Sequence, residues 1–268
     1  MKCFILFLLN VFILSAVTAS AAETMNTAEI TRASSSDICF SAEVFFFGGH
    51  SLPYRIHVPL NGTKSGLPVI LFLHGSGERG SDNQITLVNG PLKILEFTIR
   101  KKMPAIIIVP QCPADLRWVD VDWATDTHEM PVNISWPLDL AVKLADSVIE
   151  SRQADKSRFY LTGLSMGGFG TWDLLQRMPE KFAAALPLCG GGDTKLAAKV
   201  ATVPVWAFHG SVDTTVKPVR SRSMVEAVKG AGGSIKYTEY QGEGHNVWAQ
   251  TYASSEVLLW LFDQKLKK

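Results

Sequence analysis

Residues 158–168 read RFYLTGLSMGG, and this stretch decides the fold of the chain. Its apolar run ends in the pattern Gly-x-Ser-x-Gly, and residues 169–178 follow with helical spacing. A strand that turns sharply into a helix in this way exposes its serine at the carboxyl end of the strand. Gly163 and Gly167 have no Cβ, so the helix can approach the strand there. This context predicts that Ser165 is a nucleophile, and the alternative is a serine that only caps the helix.

Length and composition limit the class of protein. The chain has 268 residues, 47% of them apolar, and a formal net charge of +1. This length can bury one sizeable core and fits a single α/β domain, which we predict for residues 38–268. Neither a basic tract nor a run of like charges is present, so the sequence gives no indication of a nucleic-acid partner.

The first 22 residues have the pattern of a signal peptide. Lys2 supplies a positive end, residues 4–17 are mostly apolar, and Ala19-Ser20-Ala21 offers a small-residue cleavage site. An uncleaved membrane anchor is the alternative, but the apolar run is shorter than the roughly 20 residues that a span needs. Residues 23–37 are small and polar, and we interpret them as a flexible lead-in. We expect a secreted or periplasmic protein without stable membrane association after the signal is removed.

The remaining chain alternates between apolar runs and amphipathic stretches. We predict strands at residues 38–47, 52–58, 67–74, 105–109, 158–164, 183–188, 203–208 and 234–240. We predict helices at residues 92–100, 137–152, 169–178, 195–200, 219–229 and 254–265. This order predicts an α/β fold with a mostly parallel eight-stranded sheet, antiparallel amino-terminal strands and helices on both faces. The active site of such a sheet lies at the carboxyl ends of its strands.

A serine hydroxyl is a weak nucleophile, so it needs a base that is oriented by a third group. His245 is the best candidate for the base because it follows the last strand in a glycine-rich turn. Asp213 follows the strand at 203–208 and lies between Ser165 and His245 in the chain, so it is our candidate for the orienting carboxylate. Asp193 is the rival carboxylate. His209, which ends a strand, is interpreted as structural.

Attack on an acyl carbon places negative charge on its oxygen, and two aimed N–H groups would stabilise that charge. We expect one from the amide of Met166 and the other from the amide of Ser76, with Gly77 as the alternative. A phosphate-binding loop is the competing interpretation of residues 74–77, but no Gly-Lys-Ser/Thr ending follows.

Substrate contacts are predicted from residues near these loops. Gln111 follows the strand at 105–109, and Trp248 comes soon after His245. Residues 114–136 form a long irregular segment that carries further tryptophans, and tryptophan can stack on a sugar or an aromatic acid. Plain core packing is the alternative for each of these tryptophans.

No motif in the sequence requires a metal or an organic cofactor. Three cysteines remain after the signal, namely Cys39, Cys112 and Cys189, and no Cys-x-x-Cys pair is among them. An exported protein can form a disulfide, but an odd number leaves at least one thiol over. The sequence leaves the pairing open.

Taken together, these motifs resemble those of the α/β-hydrolases, in the branch that includes dienelactone hydrolases and feruloyl esterases. Similar proteins are also described as polyhydroxybutyrate-depolymerase-like esterases or predicted peptidases. The resemblance covers about residues 43–266 and is carried by LFLHGSGERG at 71–80, PQCP at 110–113, YLTGLSMGGFGTW at 160–172, WAFHG at 206–210 with Asp213, and GH at 244–245.

The resemblance implies a secreted serine carboxylesterase that acts on a small-molecule ester or a polysaccharide-linked ester, such as a feruloyl or acetyl group on a plant polysaccharide. Two other functions remain open at this stage. A serine peptidase would use the same three residues, and a non-catalytic binding protein can share the fold.

Overall fold

The computed structural model describes residues 39–59 and 66–266. The predicted signal peptide at 1–22 and the lead-in at 23–37 lie outside the described residues. From Phe40 onward, the described chain forms one compact unit. Within residues 39–59 and 66–266, no helix has the length and apolar character needed to cross a bilayer.

In the described part of the chain, eight strands form one sheet, as the sequence predicts. They are β1 (Ser41–Phe47), β2 (His50–His57), β3 (Val69–Leu73), β4 (Ile106–Pro110), β5 (Phe159–Leu164), β6 (Ala184–Leu188), β7 (Val205–Gly210) and β8 (Ile235–Tyr240). Their order in the sheet is β1-β2-β4-β3-β5-β6-β7-β8. The β1–β2 and β2–β4 pairs are antiparallel, and all other neighbours are parallel. The predicted mostly parallel sheet with antiparallel amino-terminal strands is therefore confirmed.

Helices cover both faces of the sheet. They are α1 (Pro91–Arg100), α2 (Trp136–Ser151), α3 (Met166–Arg177), α4 (Ala197–Val200), α5 (Val219–Gly230), α6 (Trp248–Ala253) and α7 (Ser255–Phe262). Side chains of β3 alternate between two apolar cores, because successive residues of a strand point to opposite faces. Leu71 packs with α2, α3 and α5 on one face, and Phe72 packs with α1, α6 and α7 on the other.

The first hairpin is tighter than predicted. The sequence suggested a connection over residues 48–51, but β2 already begins at His50 and only Gly48 and Gly49 remain in the turn. Both glycines have positive φ, 59° and 81°. A two-residue hairpin turn of this kind needs left-handed backbone at both central positions, which glycine adopts without steric cost.

Two helix boundaries also differ from the prediction. Helix α3 begins at Met166, three residues earlier than predicted, so it starts directly after Ser165. The predicted closing helix at 254–265 is shorter and is preceded by a separate helix, α6. Ser254 separates the two helices because its extended backbone ends α6, while its Oγ accepts a hydrogen bond from the Val257 amide and caps α7.

Candidate active site

The turn between β5 and α3 holds Ser165 in a strained conformation. Ser165 has φ 53° and ψ −119°, which a residue with a side chain rarely adopts. Its amide donates to the carbonyl of Leu188 on β6 at 2.9 Å. A Cβ on Gly163 would overlap the carbonyl of Gly167, and a Cβ on Gly167 would overlap the carbonyl of Leu73. The glycines of the motif therefore permit the close approach of helix and strand that fixes the serine.

Three side chains from separate loops meet at this turn. The Ser165 Oγ lies 2.9 Å from Nε2 of His245, which follows β8. Nδ1 of His245 lies 2.6 Å from Oδ2 of Asp213, which follows β7. Ser165 is only 8% exposed, so its side chain is almost fully enclosed. The structure thus places His245 within hydrogen-bond distance of both Ser165 and Asp213, in the order that nucleophilic catalysis needs.

Asp213 is held by more than the histidine of this constellation. Its Oδ1 accepts hydrogen bonds from the amides of Thr215 at 2.8 Å and Val216 at 3.0 Å. Nε2 of His209 lies 3.2 Å from Oδ2, the same oxygen that His245 contacts. Burial acts to raise the pKa of the Asp213 carboxyl, but these hydrogen bonds outweigh it and hold the pKa well below its usual range. The carboxylate is therefore charged at neutral pH.

The sequence did not indicate that His209 takes part in the site. Besides its contact with Asp213, its Nε2 lies 2.8 Å from the carbonyl of Val216, and its Nδ1 lies 2.7 Å from Oγ of Ser221. The carbonyl can only accept, so Nε2 carries a proton that also faces the carboxylate. A signal existed in the spacing, because a histidine at the end of β7 lies four residues before Asp213. The side chains of the loop had to be placed before this contact was evident.

The rival carboxylate lies elsewhere. Asp193 follows β6, but its Oδ1 accepts from the Lys195 amide and its Oδ2 accepts from the Met130 amide, both at 3.0 Å. It caps a short turn and fastens the irregular segment before α2. Asp193 therefore has its hydrogen-bonding capacity engaged away from His245.

The loop after β3 is braced by His74. Its Nδ1 donates to the Gly75 carbonyl at 2.6 Å, and its Nε2 accepts from the Cys112 amide at 3.0 Å. Burial lowers the pKa of His74 to about 4, so the ring is neutral and both hydrogen bonds are available at neutral pH. The indole of Trp118 donates to the His74 carbonyl at 3.0 Å. This network fixes the backbone that leads into Ser76.

Three amides are available for an oxyanion. Met166 is the first residue of α3, where helix amides have no partner within the helix. Ser76 and Gly77 lie in a short 3-10 turn, Ser76–Glu78, directly after Gly75. Among the described residues, none accepts a hydrogen bond from the amide of Met166, Ser76 or Gly77. Either loop amide can thus be the second donor, and the choice between Ser76 and Gly77 remains a proposal.

Gln111 does not occupy the position expected of a substrate contact. Its side chain is fully buried. Its Nε2 donates to the Glu78 carbonyl at 3.2 Å and to Asp82 Oδ1 at 2.9 Å, and its Oε1 accepts from the Asn83 amide at 2.7 Å. Because these bonds use its polar atoms inside the protein, we correct its role to bracing the loop after β3.

The tryptophans divide between packing and the site. Trp118 is fully buried, and Trp123 and Trp136 are partly buried against the same core. Trp248 is half-buried beside the histidine loop, with its ring edge-on to His245 at a centroid distance of 5.2 Å. Its Nε1 donates to Asn89 Oδ1 at 3.1 Å. Of the predicted aromatic contacts, Trp248 is the one that adjoins the three-residue constellation.

One cluster has the residue types of a metal site. Donor atoms of Cys189, His209 and Asp213 all lie within 4.8 Å of one another. Burial, followed by the charge of Asp213, raises the pKa of the Cys189 thiol, so the sulfur stays protonated and donates to the His245 carbonyl at 3.3 Å. Nε2 of His209 is protonated as well. A metal would therefore have to displace protons and the hydrogen bond to His245.

Comparison with known proteins gives distant sequence relatives. No family model matches the chain. An uncharacterized secreted protein of Arthroderma benhamiae is 26% identical over 72% of this chain, which spans only 22% of that protein. A probable carboxylesterase of Oryza sativa subsp. japonica is 24% identical over 70% of this chain and 74% of its own length.

Solved structures also match the chain. A thermostable esterase has 34% sequence identity and a TM-score of 0.78 over 84% of this chain, which spans 63% of that structure's chain. A ferulic acid esterase has 16% identity and a TM-score of 0.63, over 84% of this chain and 97% of its own. The second match is evidence for the fold alone. The sheet order and these similarities show that the chain has an α/β-hydrolase fold, with structural neighbours among the esterases.

Proposed function

We propose that this chain is a serine carboxylic-ester hydrolase that works through an acyl-enzyme. The observation that carries the proposal is the pair of contacts from Ser165 Oγ to His245 Nε2 and from His245 Nδ1 to Asp213 Oδ2. The esterase neighbour at 34% identity and the probable carboxylesterase relative support the same activity.

In the first half of the reaction, Ser165 Oγ attacks the ester carbonyl carbon while His245 Nε2 takes the hydroxyl proton. Nδ1 of His245 keeps its proton and donates to Asp213, whose charge stabilises the imidazolium. The amides of Met166 and Ser76 would bind the oxyanion of the tetrahedral intermediate, and each such donor is worth about 3 kcal/mol in the transition state. His245 then returns the proton to the departing alcohol, which leaves the acyl group on Ser165.

The second half repeats these roles with water. His245 Nε2 removes a proton from water, the water oxygen attacks the acyl carbon, and the same two amides hold the oxyanion. Collapse of the intermediate breaks the bond to Ser165 Oγ, which regains its proton from His245. Apart from the ester and the water, every group in these steps belongs to the chain.

The finer description of the substrate and of the location is also a proposal. We propose that the protein is exported and acts on feruloyl or acetyl esters of plant polysaccharides. The amino-terminal sequence pattern and the secreted relative support export. The ferulic acid esterase neighbour is compatible with a feruloyl substrate, although its similarity concerns the fold.

A substrate panel tests the proposal. The mature protein should hydrolyse p-nitrophenyl acetate and butyrate, and methyl ferulate and acetylated xylan examine the finer substrate. Ser165→Ala should abolish turnover and labelling by a fluorophosphonate probe while its melting temperature stays close to that of the parent. Equal turnover by parent and variant would refute the nucleophile. Cleavage of peptides but not of esters would replace the esterase with a peptidase.

A further inference from the structure

A buried carboxylate beside the nucleophile has no part in the reaction steps above. Glu78 ends the 3-10 turn after β3 and is only 5% exposed. Its Oε1 accepts a hydrogen bond from Asn89 Nδ2. Across the described ranges, no residue donates to its Oε2, and no lysine or arginine lies within 4 Å of the carboxylate. The neighbouring Arg79 donates to the carbonyls of Ser76 and Leu116 instead.

The open oxygen of Glu78 faces the nucleophile turn. A Cβ built on Gly75 would lie 3.1 Å from Glu78 Oε2 and 3.6 Å from the Cβ of Ser165. The carboxylate oxygen and the serine side chain therefore flank the same side of Gly75. The nearest atom to that Cβ would be Leu164 Cδ1, at 2.8 Å, so a larger residue than glycine would crowd this position.

Hydrogen bonds continue from Glu78 to the histidine loop. Asn89 donates to Glu78 through Nδ2 and accepts from Trp248 through Oδ1. The ring of Trp248 then meets His245 edge-on. Glu78, Asn89 and Trp248 thus form a continuous series of contacts from Gly75 to His245, and the Oε2 atom at its end accepts no hydrogen bond from a described residue.

Oε2 is not among the fully buried side-chain atoms that lack a partner, so it keeps contact with solvent in the free protein. A bound substrate that excludes this solvent leaves the carboxylate oxygen unpartnered, which is costly. The cost falls when a bound molecule supplies a donor, and a hydrogen bond to a charged acceptor is stronger than a neutral one. A hydroxyl or an ammonium group can supply that donor. An apolar substituent at the same place would leave the carboxylate unsatisfied, so the site discriminates against it.

We propose that Glu78 is a specificity-determining residue that accepts a hydrogen bond from a hydroxyl or ammonium group of the substrate close to the scissile ester. This inference rests on the proposed esterase function. It selects esters with a hydrogen-bond donor near the carbonyl over esters of the same size without one.

A series of three esters tests the proposal: ethyl propionate, ethyl glycolate and glycine ethyl ester. They differ only in whether the carbon next to the carbonyl carries a methyl, a hydroxyl or an ammonium group. In Glu78→Gln, the amide oxygen can still accept from Asn89, while an NH₂ group takes the place of Oε2. Relative to the parent, kcat/KM should fall about tenfold or more further on glycine ethyl ester than on ethyl propionate, because an ammonium group cannot accept from the new NH₂ group. The extra loss on ethyl glycolate should be smaller, because its hydroxyl can accept from that NH₂ group but no longer donates to a charged oxygen. A pH-stat measures all three.

The outcomes separate the sources of the donor. Extra loss confined to the glycine ester identifies an ammonium ligand, and extra loss confined to the glycolate identifies a hydroxyl ligand. The same comparison of propyl acetate with 2-hydroxyethyl acetate examines a donor on the alcohol side. Equal loss on all esters, or no loss on any, would overturn the proposal.

Two further variants serve as a second test and as a control. Glu78→Asp keeps the charge but withdraws the oxygens by one methylene, so it should shift selectivity in the same direction if Glu78→Gln does not fold. Glu96→Gln removes an exposed carboxylate that pairs with Lys93 on α1, and it should leave the selectivity unchanged. A parent that hydrolyses none of the esters would count against the esterase function itself, whereas turnover without selectivity counts only against Glu78.

Discussion

Replacing Asp213 by asparagine should prevent His245 from acting as a base, because it favours the wrong tautomer of the imidazole ring. The amides of Thr215 and Val216 both donate to Oδ1, so the carbonyl oxygen of an asparagine must face them. Its NH₂ group then occupies the place of Oδ2, 2.6 Å from His245 Nδ1. An N–H donor there requires an unprotonated Nδ1, which moves the ring proton to Nε2. Nε2 would then donate to Ser165 and could not accept the hydroxyl proton.

The opposite orientation of the asparagine side-chain amide is also unfavourable. The NH₂ group would then face two backbone N–H groups, and two buried donors would lose their acceptor, at about 1–3 kcal/mol each. We therefore expect the wrong tautomer and a loss in kcat of about 10⁴-fold, the size of the effect of the same change in a serine protease. This loss corresponds to about 5 kcal/mol of transition-state stabilisation.

Steady-state hydrolysis of p-nitrophenyl acetate by Asp213→Asn measures this loss, and thermal unfolding shows whether the variant is folded. Asp193→Asn is the matched control, because Asp193 also accepts backbone amides in a loop at the carboxyl edge of the sheet. It should lower kcat by less than about tenfold, since it changes no group that contacts His245. A folded Asp213→Asn variant with kcat near that of the parent would refute the reasoning.

Three further changes test the structure. Gly167→Ala places a Cβ on the carbonyl of Leu73, so it should prevent folding or lower the melting temperature sharply. Arg177→Ala leaves Asp173 buried without its ion pair and should lower the free energy of unfolding by about 3–5 kcal/mol in urea titrations. Because the pKa of Asp213 is depressed in the folded state, its contribution to stability is present above about pH 4 and lost at lower pH. Unfolding free energies between pH 5 and 2 should therefore fall more steeply for the parent than for Asp213→Asn.

Matched controls accompany the two structural substitutions. A Cβ on Gly230 meets no atom within 4 Å, so Gly230→Ala should be tolerated where Gly167→Ala is not. Lys93 and Glu96 are both exposed, so Lys93→Ala should cost less than about 1 kcal/mol. Equal effects of Arg177→Ala and Lys93→Ala would contradict the importance of burial for the Asp173 pair.

The fold and the catalytic geometry follow from local signals that reinforce one another. The carboxyl ends of parallel strands lie at one edge of a sheet, so residues that follow β5, β7 and β8 are brought together by topology alone. Ser165, Asp213 and His245 each follow one of these strands, and their chain order agrees with the expected roles. These three residues are far apart along the chain, but the order of the strands in the sheet brings the loops that carry them together.

The parts that the sequence did not predict depend on side-chain placement. Gln111 follows a strand at the same edge, but its side chain turns inward to Glu78 and the loop after β3. His209 lies at the end of a strand, where a structural role and a contact with Asp213 have the same pattern. A sequence pattern locates the end of a strand but not the direction in which the side chain points there. That direction distinguishes a residue that braces a loop from one that faces the candidate site.

Backbone contacts between two loops set the distance between His245 and Asp213. The Val212 amide donates to the Glu243 carbonyl at 3.0 Å, so the loops that carry the two side chains are bonded directly. A Cβ on Gly210 would overlap the carbonyl of Gly244, so this approach requires glycine. His245, the proposed base, is therefore oriented before any substrate binds. Such preorganisation lowers the barrier, because the groups need no reorganisation when charge develops. A substitution that alters the backbone contacts of either loop can therefore lower kcat even when the three proposed catalytic residues are not themselves substituted.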